Sequence, residues 1–221
     1  MKKELIETAD GSKTLYIADF EEHYHSVHGA LSEAQHVFVK YGLKSISKTK
    51  LSILEMGFGT GLNAFLTCLE NQKLHKKITY TALEAYPISA DLASEMEYIR
   101  LKGLEDKEDI FKQMHECSWA DAHIIETRFI LQKVEATIQN VVFQNTFDLV
   151  YYDAFAPRVQ PELWTEEIFT KIFNVMNVDA VLVTYCAKGT VKRALKAVGF
   201  EVESLEGPPG KREMTRAKKA K

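Results

Sequence analysis

Apolar runs of strand length alternate with segments of helical periodicity along most of this chain, which limits the folds it can adopt. The segments KLSILEMG, ITYTALEAYP, FDLVYYDAF, VDAVLVTYC and FEVESLEG predict strands, as does the central part of HIIETRFILQKVEATI. Between them, GLNAFLTCLENQ, ISADLASEMEYIR, ELWTEEIFTKIFNVM and TVKRALKAVGF predict helices. Strands that alternate with helices indicate an α/β fold with a mostly parallel sheet and helices on both faces.

Composition narrows the class of protein further. The 221 residues fit one domain, and an apolar fraction of 46% supports a substantial core. A formal net charge of -3 does not single out a nucleic-acid binder, although a basic patch can lie on an acidic protein. Three well-separated cysteines read as reduced thiols, and neither a signal peptide nor a membrane-spanning run is visible. We therefore expect a soluble, cytoplasmic protein with no membrane partner.

The stretch LEMGFGTGLNAF places Gly57, Gly59 and Gly61 directly after a predicted strand. A phosphate-binding P-loop needs a lysine after its last glycine, and none follows here. A dinucleotide-binding loop needs its third glycine where Leu62 stands. A turn without a ligand is the plain alternative, which the entropy cost of dense glycine disfavours. With Glu55 in front, the pattern ExGxGxG resembles the cofactor loop of S-adenosylmethionine-dependent methyltransferases.

Two acidic residues end other predicted strands. Glu84, in TALEAYP, stands where a carboxylate at the tip of the neighbouring strand accepts hydrogen bonds from ribose hydroxyls, although a lone glutamate there is usually a solvated surface residue. Asp153, in FDLVYYDAFAP, lies at the end of a central strand, where open α/β sheets bind ligands. It is a candidate to receive a substrate amine and take its proton, or alternatively a cap for the following helix.

Motifs along nearly the whole chain resemble the methyltransferase domain of the MnmC family and its single-domain form, called MnmD. The matching segments are DFEEHYHSVHGALSEAQHVF, EMGFGTGLN, LEAYP, YYDAFAPRVQPELWT, VTYCAKGTVKRALKAVGF and GPPGKREM. The combination of GFGTGLN with DAFAPxxxPxLWT is more specific than either motif alone. Members of this family are tRNA 5-methylaminomethyl-2-thiouridine methyltransferases.

The resemblance implies a class I, Rossmann-like methyltransferase fold with a mostly parallel seven-stranded sheet. Residues 1–48 would form an N-terminal extension packed near the active site, and residues 49–221 the methyltransferase domain. The enzyme would use S-adenosylmethionine to N-methylate the 5-aminomethyl group of (2-thio)uridine at the wobble position of tRNA. The FAD-dependent oxidase domain of the bifunctional members would follow this chain's last residue, so we expect no FAD.

The resemblance also implies roles for individual residues. Asp153 would face the amine, in a DAF segment where other members often have DGF. The cofactor would contact Glu55, Gly57, Phe58, Gly59, Thr60, Gly61, Asn63, Glu84 and Ala85. Substrate or RNA would contact Tyr24, His28, Phe155, Pro157, Arg158, Lys211 and Arg212, with Glu33 nearby. The wobble base would have to be splayed out to stack on an aromatic side chain such as Phe155, Tyr152 or Trp164, the last of which also suits the core.

Several points stay open at the level of sequence. Many methyltransferases recognise adenine with an aspartate after the third strand, where RFILQKVEA offers Gln132 or Glu135. The histidines of HYHSVH predict no metal site, because their spacing alone is weak evidence. The last few residues of the Lys- and Arg-rich tail are expected to be disordered. The rival functions are a small-molecule amine N-methyltransferase or aminopropyltransferase and a non-catalytic RNA-binding protein.

Overall fold

The computed structural model describes residues 3–101 and 104–220 and has two sheets. The large sheet is built from β4 Lys50–Met56, β5 Lys77–Glu84, β6 Ala122–Glu126, β7 Phe129–Glu135, β8 Phe147–Tyr152, β9 Met176–Thr184, β10 Phe200–Glu206 and β11 Glu213–Lys219. Its strand order is β10-β11-β9-β8-β4-β5-β7-β6. The five central strands β9, β8, β4, β5 and β7 pair in parallel, so the expected class I methyltransferase fold is confirmed.

The large sheet has eight strands among the described residues, so the prediction of seven was wrong. The extra strand is β6, which pairs antiparallel with β7 at the edge of the sheet. HIIETRFILQKVEATI therefore holds both arms of a hairpin. Its turn at Thr127 and Arg128 contains no glycine or proline, so the usual sequence signal of a hairpin turn is absent.

Helices cover both faces of the large sheet and separate its core into two layers. One face packs against α1 Ala30–Ala34, a π-helix over Gln35–Lys40, α2 Leu62–Leu74, α3 Ala90–Ser94 and α4 Glu108–Glu116. The other packs against α5 Glu166–Asn174 and α6 Gly189–Val198. Every residue of β8 is buried between these layers, as its apolar run predicts. No helix of the described residues is both long and apolar enough to cross a membrane.

The N-terminal residues form a small antiparallel sheet of β1 Lys3–Glu7, β2 Lys13–Ile17 and β3 Glu22–His23. Asp10 joins this sheet to α1, because its Oδ2 accepts hydrogen bonds from the backbone N–H of Ser32 (2.9 Å) and from the Ser32 hydroxyl (2.8 Å). Hydrogen bonds from Ser12, Ser32 and Thr8 lower the pKa of Asp10 to about 2, against the effect of its burial. The contact fixes α1, which carries Glu33.

The lysine-rich end of the chain is part of the sheet up to Lys219, so the expected disorder was wrong for these residues, while Lys221 lies outside the described ones. Strand β11 is antiparallel to both β9 and β10, and Met214 and Ala217 on it are fully buried. This strand is hard to recognise in the sequence because it contains the charged residues Lys218 and Lys219. Lys218 pairs with Asp179 (2.8 Å), and the Lys219 ammonium donates to the carbonyls of Phe173 and Met176 (2.8 Å each).

We expect Ala217→Asp to lower the free energy of unfolding by several kcal/mol, because it buries an unpaired charge between β9 and β10. The matched control is Ala220→Asp, which adds the same charge just beyond the strand. Thermal melts of the two variants and the parent chain measure the effect. Equal melting temperatures for both variants would show that β11 does not lie inside the sheet.

Candidate active site

The glycine loop begins where β4 ends and lies between the ends of the two neighbouring strands, β5 and β8. Gly57 and Gly59 have φ of 90° and 54°, in the left-handed region that glycine adopts without strain. The backbone N–H of Gly57 donates to the carbonyl of Leu83 in β5 (2.9 Å). A Cβ on Gly57 would lie 2.8 Å from the backbone oxygen of Asp153, so no side chain fits there. The loop thus exposes backbone rather than side chains.

Glu84 at the end of β5 is fixed by this loop. Its Oε2 accepts a hydrogen bond from the N–H of Gly59, and its Oε1 accepts one from the N–H of Tyr86, both at 2.9 Å. Each carboxylate oxygen keeps a lone pair for another donor. A carboxylate oriented beside exposed backbone suits the ribose hydroxyls of a nucleoside, so these residues fit the nucleoside half of S-adenosylmethionine.

Asp153 follows β8 directly and lies beside the glycine loop. Its backbone N–H donates to the carbonyl of Met56 (3.1 Å), and its Oδ2 accepts a hydrogen bond from the side-chain amide of Asn63 (2.8 Å). Burial raises the pKa of Asp153 to about 7, and the nearby Glu33 carboxylate adds to this. The Asn63 hydrogen bond and the Lys211 ammonium act in the opposite direction. At neutral pH this carboxyl group can both accept and release a proton.

Aromatic rings stand next to Asp153. Phe155 contacts Tyr24 edge to face at 5.2 Å between ring centroids, and Phe20 at 6.2 Å. Trp164 is 6% exposed and donates from its indole N–H to the carbonyl of Phe155 (2.8 Å), which makes it a support for this wall. Tyr152 is fully buried in the core. Of the aromatics considered for base stacking, Phe155 is the one that reaches the cleft.

Two of the three lysine and arginine side chains expected near the site, Lys211 and Arg158, are engaged in ion pairs. The Lys211 ammonium pairs with the Glu33 carboxylate and lies 4.1 Å from the centre of the Tyr185 ring. Arg158 pairs with Glu22 (2.9 Å) and donates to the carbonyl of Glu21 (3.1 Å). These contacts join the N-terminal segment to the main sheet around the mouth of the cleft.

A cleft of about 580 Å³ collects most of the predicted site residues and leaves some outside. Those that line it are Tyr24, Glu33, Gly57, Phe58, Gly59, Asn63, Glu84, Ala85, Asp153, Phe155, Arg158 and Lys211. Those outside its lining are His28, Glu55, Thr60, Gly61, Pro157 and Arg212. Thr60 is 1% exposed and its hydroxyl is hydrogen-bonded to that of Tyr98 (2.9 Å), so it supports the loop from behind.

Sequence reasoning missed the loop after β7, where Ala136, Thr137, Ile138 and Gln139 line the cleft beside Ala85. Neither residue considered for adenine lines it. Gln132 donates to the carbonyl of Ala120 (2.7 Å), and Glu135 is exposed at the end of β7. The signal that could have located this loop is its place after the third parallel strand, since the carboxyl ends of parallel strands share one edge.

The N-terminal histidines have separate environments. The backbone N–H of His25 donates to the hydroxyl of Thr14 (2.9 Å), and burial lowers the pKa of its ring to about 4. His36 contacts the carbonyl of Glu206 (2.8 Å), and His28 packs against Gly210. Among the described residues, no three His, Cys, Asp or Glu side chains are grouped so as to hold a metal ion.

Proteins of known function are similar in sequence to this chain. The tRNA 5-methylaminomethyl-2-thiouridine biosynthesis bifunctional protein MnmC of Cupriavidus metallidurans is 31% identical over 220 residues, covering 93% of this chain and 32% of that protein. The protein of the same name from Hydrogenovibrio crunogenus is 27% identical over 209 residues, covering 88% and 31%. The chain thus spans about a third of the length of these relatives.

Solved structures agree on the architecture. The crystal structure of MnmC2 from Aquifex aeolicus superposes with a TM-score of 0.82 at 26% identity, covering 100% of this chain and 72% of that one. The N-methyltransferase NodS from Bradyrhizobium japonicum shares the fold alone, with a TM-score of 0.50 and 10% identity over 86% of this chain and 94% of that one.

A family model described as S-adenosyl-L-methionine-dependent methyltransferase matches residues 103–220, more than half of the chain. This stretch includes β8 and Asp153, which meet the glycine loop at the cleft. The chain therefore belongs to this family of methyltransferases, enzymes whose cofactor is S-adenosylmethionine.

Proposed function

We propose that this enzyme N-methylates the 5-aminomethyl group of (2-thio)uridine at the wobble position of tRNA. The observation that carries the proposal is the position of Asp153, a partly buried carboxyl group in the same cleft as the glycine loop. A site of this kind suits an amine that must come close to the cofactor. The name of the bifunctional MnmC relatives supports tRNA as the substrate, and with such a substrate we propose the cytoplasm as the compartment.

The cofactor supplies an electrophilic methyl group on a sulfonium centre. In our proposal Gly57 and Gly59 provide the backbone on which its methionine and ribose portions lie, and Glu84 accepts hydrogen bonds from the ribose hydroxyls. Ala85 and the loop of residues 136–139 enclose the adenine, because they line the cleft beyond Glu84. The excess of carboxylates over ammonium groups at this cleft favours a cationic ligand.

Asp153 prepares the nucleophile. An alkylammonium group carries no lone pair, so the substrate nitrogen must lose a proton before it attacks. The Asp153 carboxylate accepts that proton, and the carboxyl group then accepts a hydrogen bond from an N–H that the amine keeps, which leaves the lone pair free to face the methyl group. With S-adenosylmethionine bound, the carbon–nitrogen bond would form as the carbon–sulfur bond breaks. Positioning supplies most of the rate in such an in-line displacement.

In this proposal the aromatic ring of Phe155, beside Asp153, binds the wobble base. Phe155 is held by the Trp164 hydrogen bond to its backbone and by edge-to-face contact with Tyr24. A splayed-out uridine stacks on such a ring, which leaves its 5-aminomethyl group near Asp153. In this proposal residues 1–48 form an extension of the methyltransferase domain of residues 49–221, and the extension contributes Phe20, Tyr24 and Glu33 to the cleft.

In our proposal Glu55 supports the site from within β4 rather than contacting the cofactor. It is 0% exposed in β4, and neither carboxyl oxygen has an aligned hydrogen-bond partner. The hydroxyl of Tyr80 and the side-chain oxygen of Asn63, also buried and unpartnered, adjoin it. Burial and the nearby carboxylate of Asp153 raise the pKa of Glu55 well above its ordinary value, so the group is neutral. A protonated Glu55 can donate to Asn63, whose amide holds Asp153.

The function itself is tested by incubating the protein and labelled S-adenosylmethionine with tRNA from cells that lack the final methylation. We expect label in a single nucleoside, identified as 5-methylaminomethyl-(2-thio)uridine. Turnover of a free polyamine that tRNA does not stimulate would contradict the proposal. So would label in any other nucleoside.

We expect Asp153→Asn and Asp153→Ala to reduce methyl transfer by about 10²-fold or more, while the affinity for S-adenosylmethionine changes little. Because the pKa of Asp153 is raised to about 7, the carboxyl group is protonated and inactive as a base at lower pH. The wild-type rate therefore rises as pH passes through about 7. Single-turnover rates across pH, with the exposed Asp91→Asn as control, measure this. Full activity in Asp153→Asn would rule out the assigned role.

We expect Glu84→Gln to weaken the affinity for S-adenosylmethionine about 10-fold or more, since an amide cannot accept hydrogen bonds on both of its ends. Glu135→Gln is the matched control, because Glu135 lies beside Glu84 on the next strand and is exposed. Calorimetric titration with the cofactor measures both. An unchanged dissociation constant in Glu84→Gln would remove Glu84 from the site.

We expect Glu55→Gln to keep methyl transfer within a few fold, because an amide resembles the neutral carboxyl group in shape. The raised pKa of Glu55 also predicts the direction in which stability changes with pH. Above the ordinary carboxyl pKa of about 4, the unfolded chain releases a proton that the folded chain keeps, so wild-type stability falls as pH rises. Glu55→Gln lacks this loss of stability, so its melting temperature should increasingly exceed that of the wild type from pH 5 to pH 8. A variant that is less stable at pH 8 would show that Glu55 is ionised.

A further inference from the structure

A second cavity of about 630 Å³ lies between the π-helix that continues α1 and the outer face of α2. We call it the lysine groove, because Lys40, Lys44, Lys73 and Lys107 are among the residues that line it. Apolar side chains such as Leu66 also line it. The proposed reaction uses none of these residues.

The charge of the lysine groove is positive on balance. Glu70 is the carboxylate among its lining residues, and it is shared between Lys44 at 2.9 Å and Lys73 at 3.4 Å. Lys40 lies over the ring of Tyr41, 4.7 Å from its centre, a contact with a neutral ring that leaves the net charge of the groove unchanged. Among the described residues that line the groove, four ammonium groups against one carboxylate attract a polyanion, although the chain as a whole has a net charge of -3.

The lysine groove borders the active-site cleft. Ser32 lines the groove and its neighbour Glu33 lines the cleft. Pro209 lines the groove and Lys211, two residues further on, lines the cleft. The ridge between the two cavities is thus one helix and one turn, which the ion pair between Glu33 and Lys211 ties together. A strand of RNA that crosses this ridge reaches both cavities.

The cations at the cleft itself are poorly suited to phosphate. Lys211 and Arg158 are paired with Glu33 and Glu22, so phosphate binding there would have to break ion pairs and approach carboxylates. The lysine groove offers more cation charge with less opposing charge, next to the same opening.

We propose that the lysine groove binds the sugar-phosphate backbone of the tRNA next to the wobble nucleotide. This inference rests on the proposed tRNA methyltransferase function. It assigns nucleotide recognition to the cleft and backbone recognition to the groove, so that affinity for tRNA and chemistry at Asp153 depend on separate residues.

The test compares two variants that each lose three positive charges. The groove variant is Lys40→Gln/Lys44→Gln/Lys73→Gln. The control variant is Lys50→Gln/Lys77→Gln/Lys196→Gln, which removes exposed lysines from the amino-terminal ends of β4 and β5 and from α6 on the opposite face of the sheet. Wild-type protein and both variants are titrated with tRNA across salt concentrations, and steady-state methylation of tRNA is measured. Thermal melts and cofactor affinity confirm that each variant is folded.

We expect the groove variant to raise the KM for tRNA about 10-fold or more with little change in kcat. The slope of log affinity against log salt should fall by about 0.7 to 0.9 for each phosphate that the variant no longer neutralises. The control variant should match the wild type.

A groove variant that binds tRNA like the wild type would overturn this proposal while leaving the methyltransferase function intact. So would an equal loss of affinity in both variants, since that would reflect overall charge. Wild-type protein that neither binds nor methylates tRNA would overturn the function and the groove together.

Discussion

The contact between Gly57 and Asp153 is the constraint on which the site depends. Parallel pairing of β4 with β8 aligns Met56 with Tyr152, so the two loops leave the sheet side by side. The N–H of Asp153 then bonds to the carbonyl of Met56, and no Cβ fits at Gly57. A side chain there would push the loops apart and separate the cofactor from the carboxylate. Because displacement reactions depend on positioning, a shift on the order of 1 Å is costly.

The same contact concentrates acidic groups in one place. Asp153, Glu55 and Glu33 lie near one another, and Lys211 is the ammonium group that balances them most directly. Burial makes the charged forms of Asp153 and Glu55 unfavourable, which is why the pKa of each is raised. Such a cluster opposes folding, and the two core layers on either side of the sheet offset it. Local rules are commonly broken in this way at functional sites.

Local patterns in the sequence predicted the α/β fold and the meeting of Gly57, Glu84 and Asp153, because the ends of parallel strands must share an edge. They did not predict that Lys211 would be paired, since its partner Glu33 belongs to a helix far away in the chain. The eighth strand was missed because its hairpin turn lacks glycine and proline. Periodicity reports which face of an element is buried, whereas ion pairs and turns without signature residues depend on tertiary packing.

The active-site cleft and the lysine groove carry opposite charge, which suits ligands of opposite charge. The cleft is lined by the carboxyl groups of Glu22, Glu33, Glu84 and Asp153, which favour a sulfonium cofactor and an alkylammonium group. Those same groups would repel the phosphates of the tRNA that we propose as the substrate. In our proposal the lysine groove, which borders the cleft, resolves this conflict, because salt screens charges over about 8 to 10 Å. Salt thus weakens the effect of the cleft's acids on the groove, which is how a net acidic protein would bind the RNA that we propose.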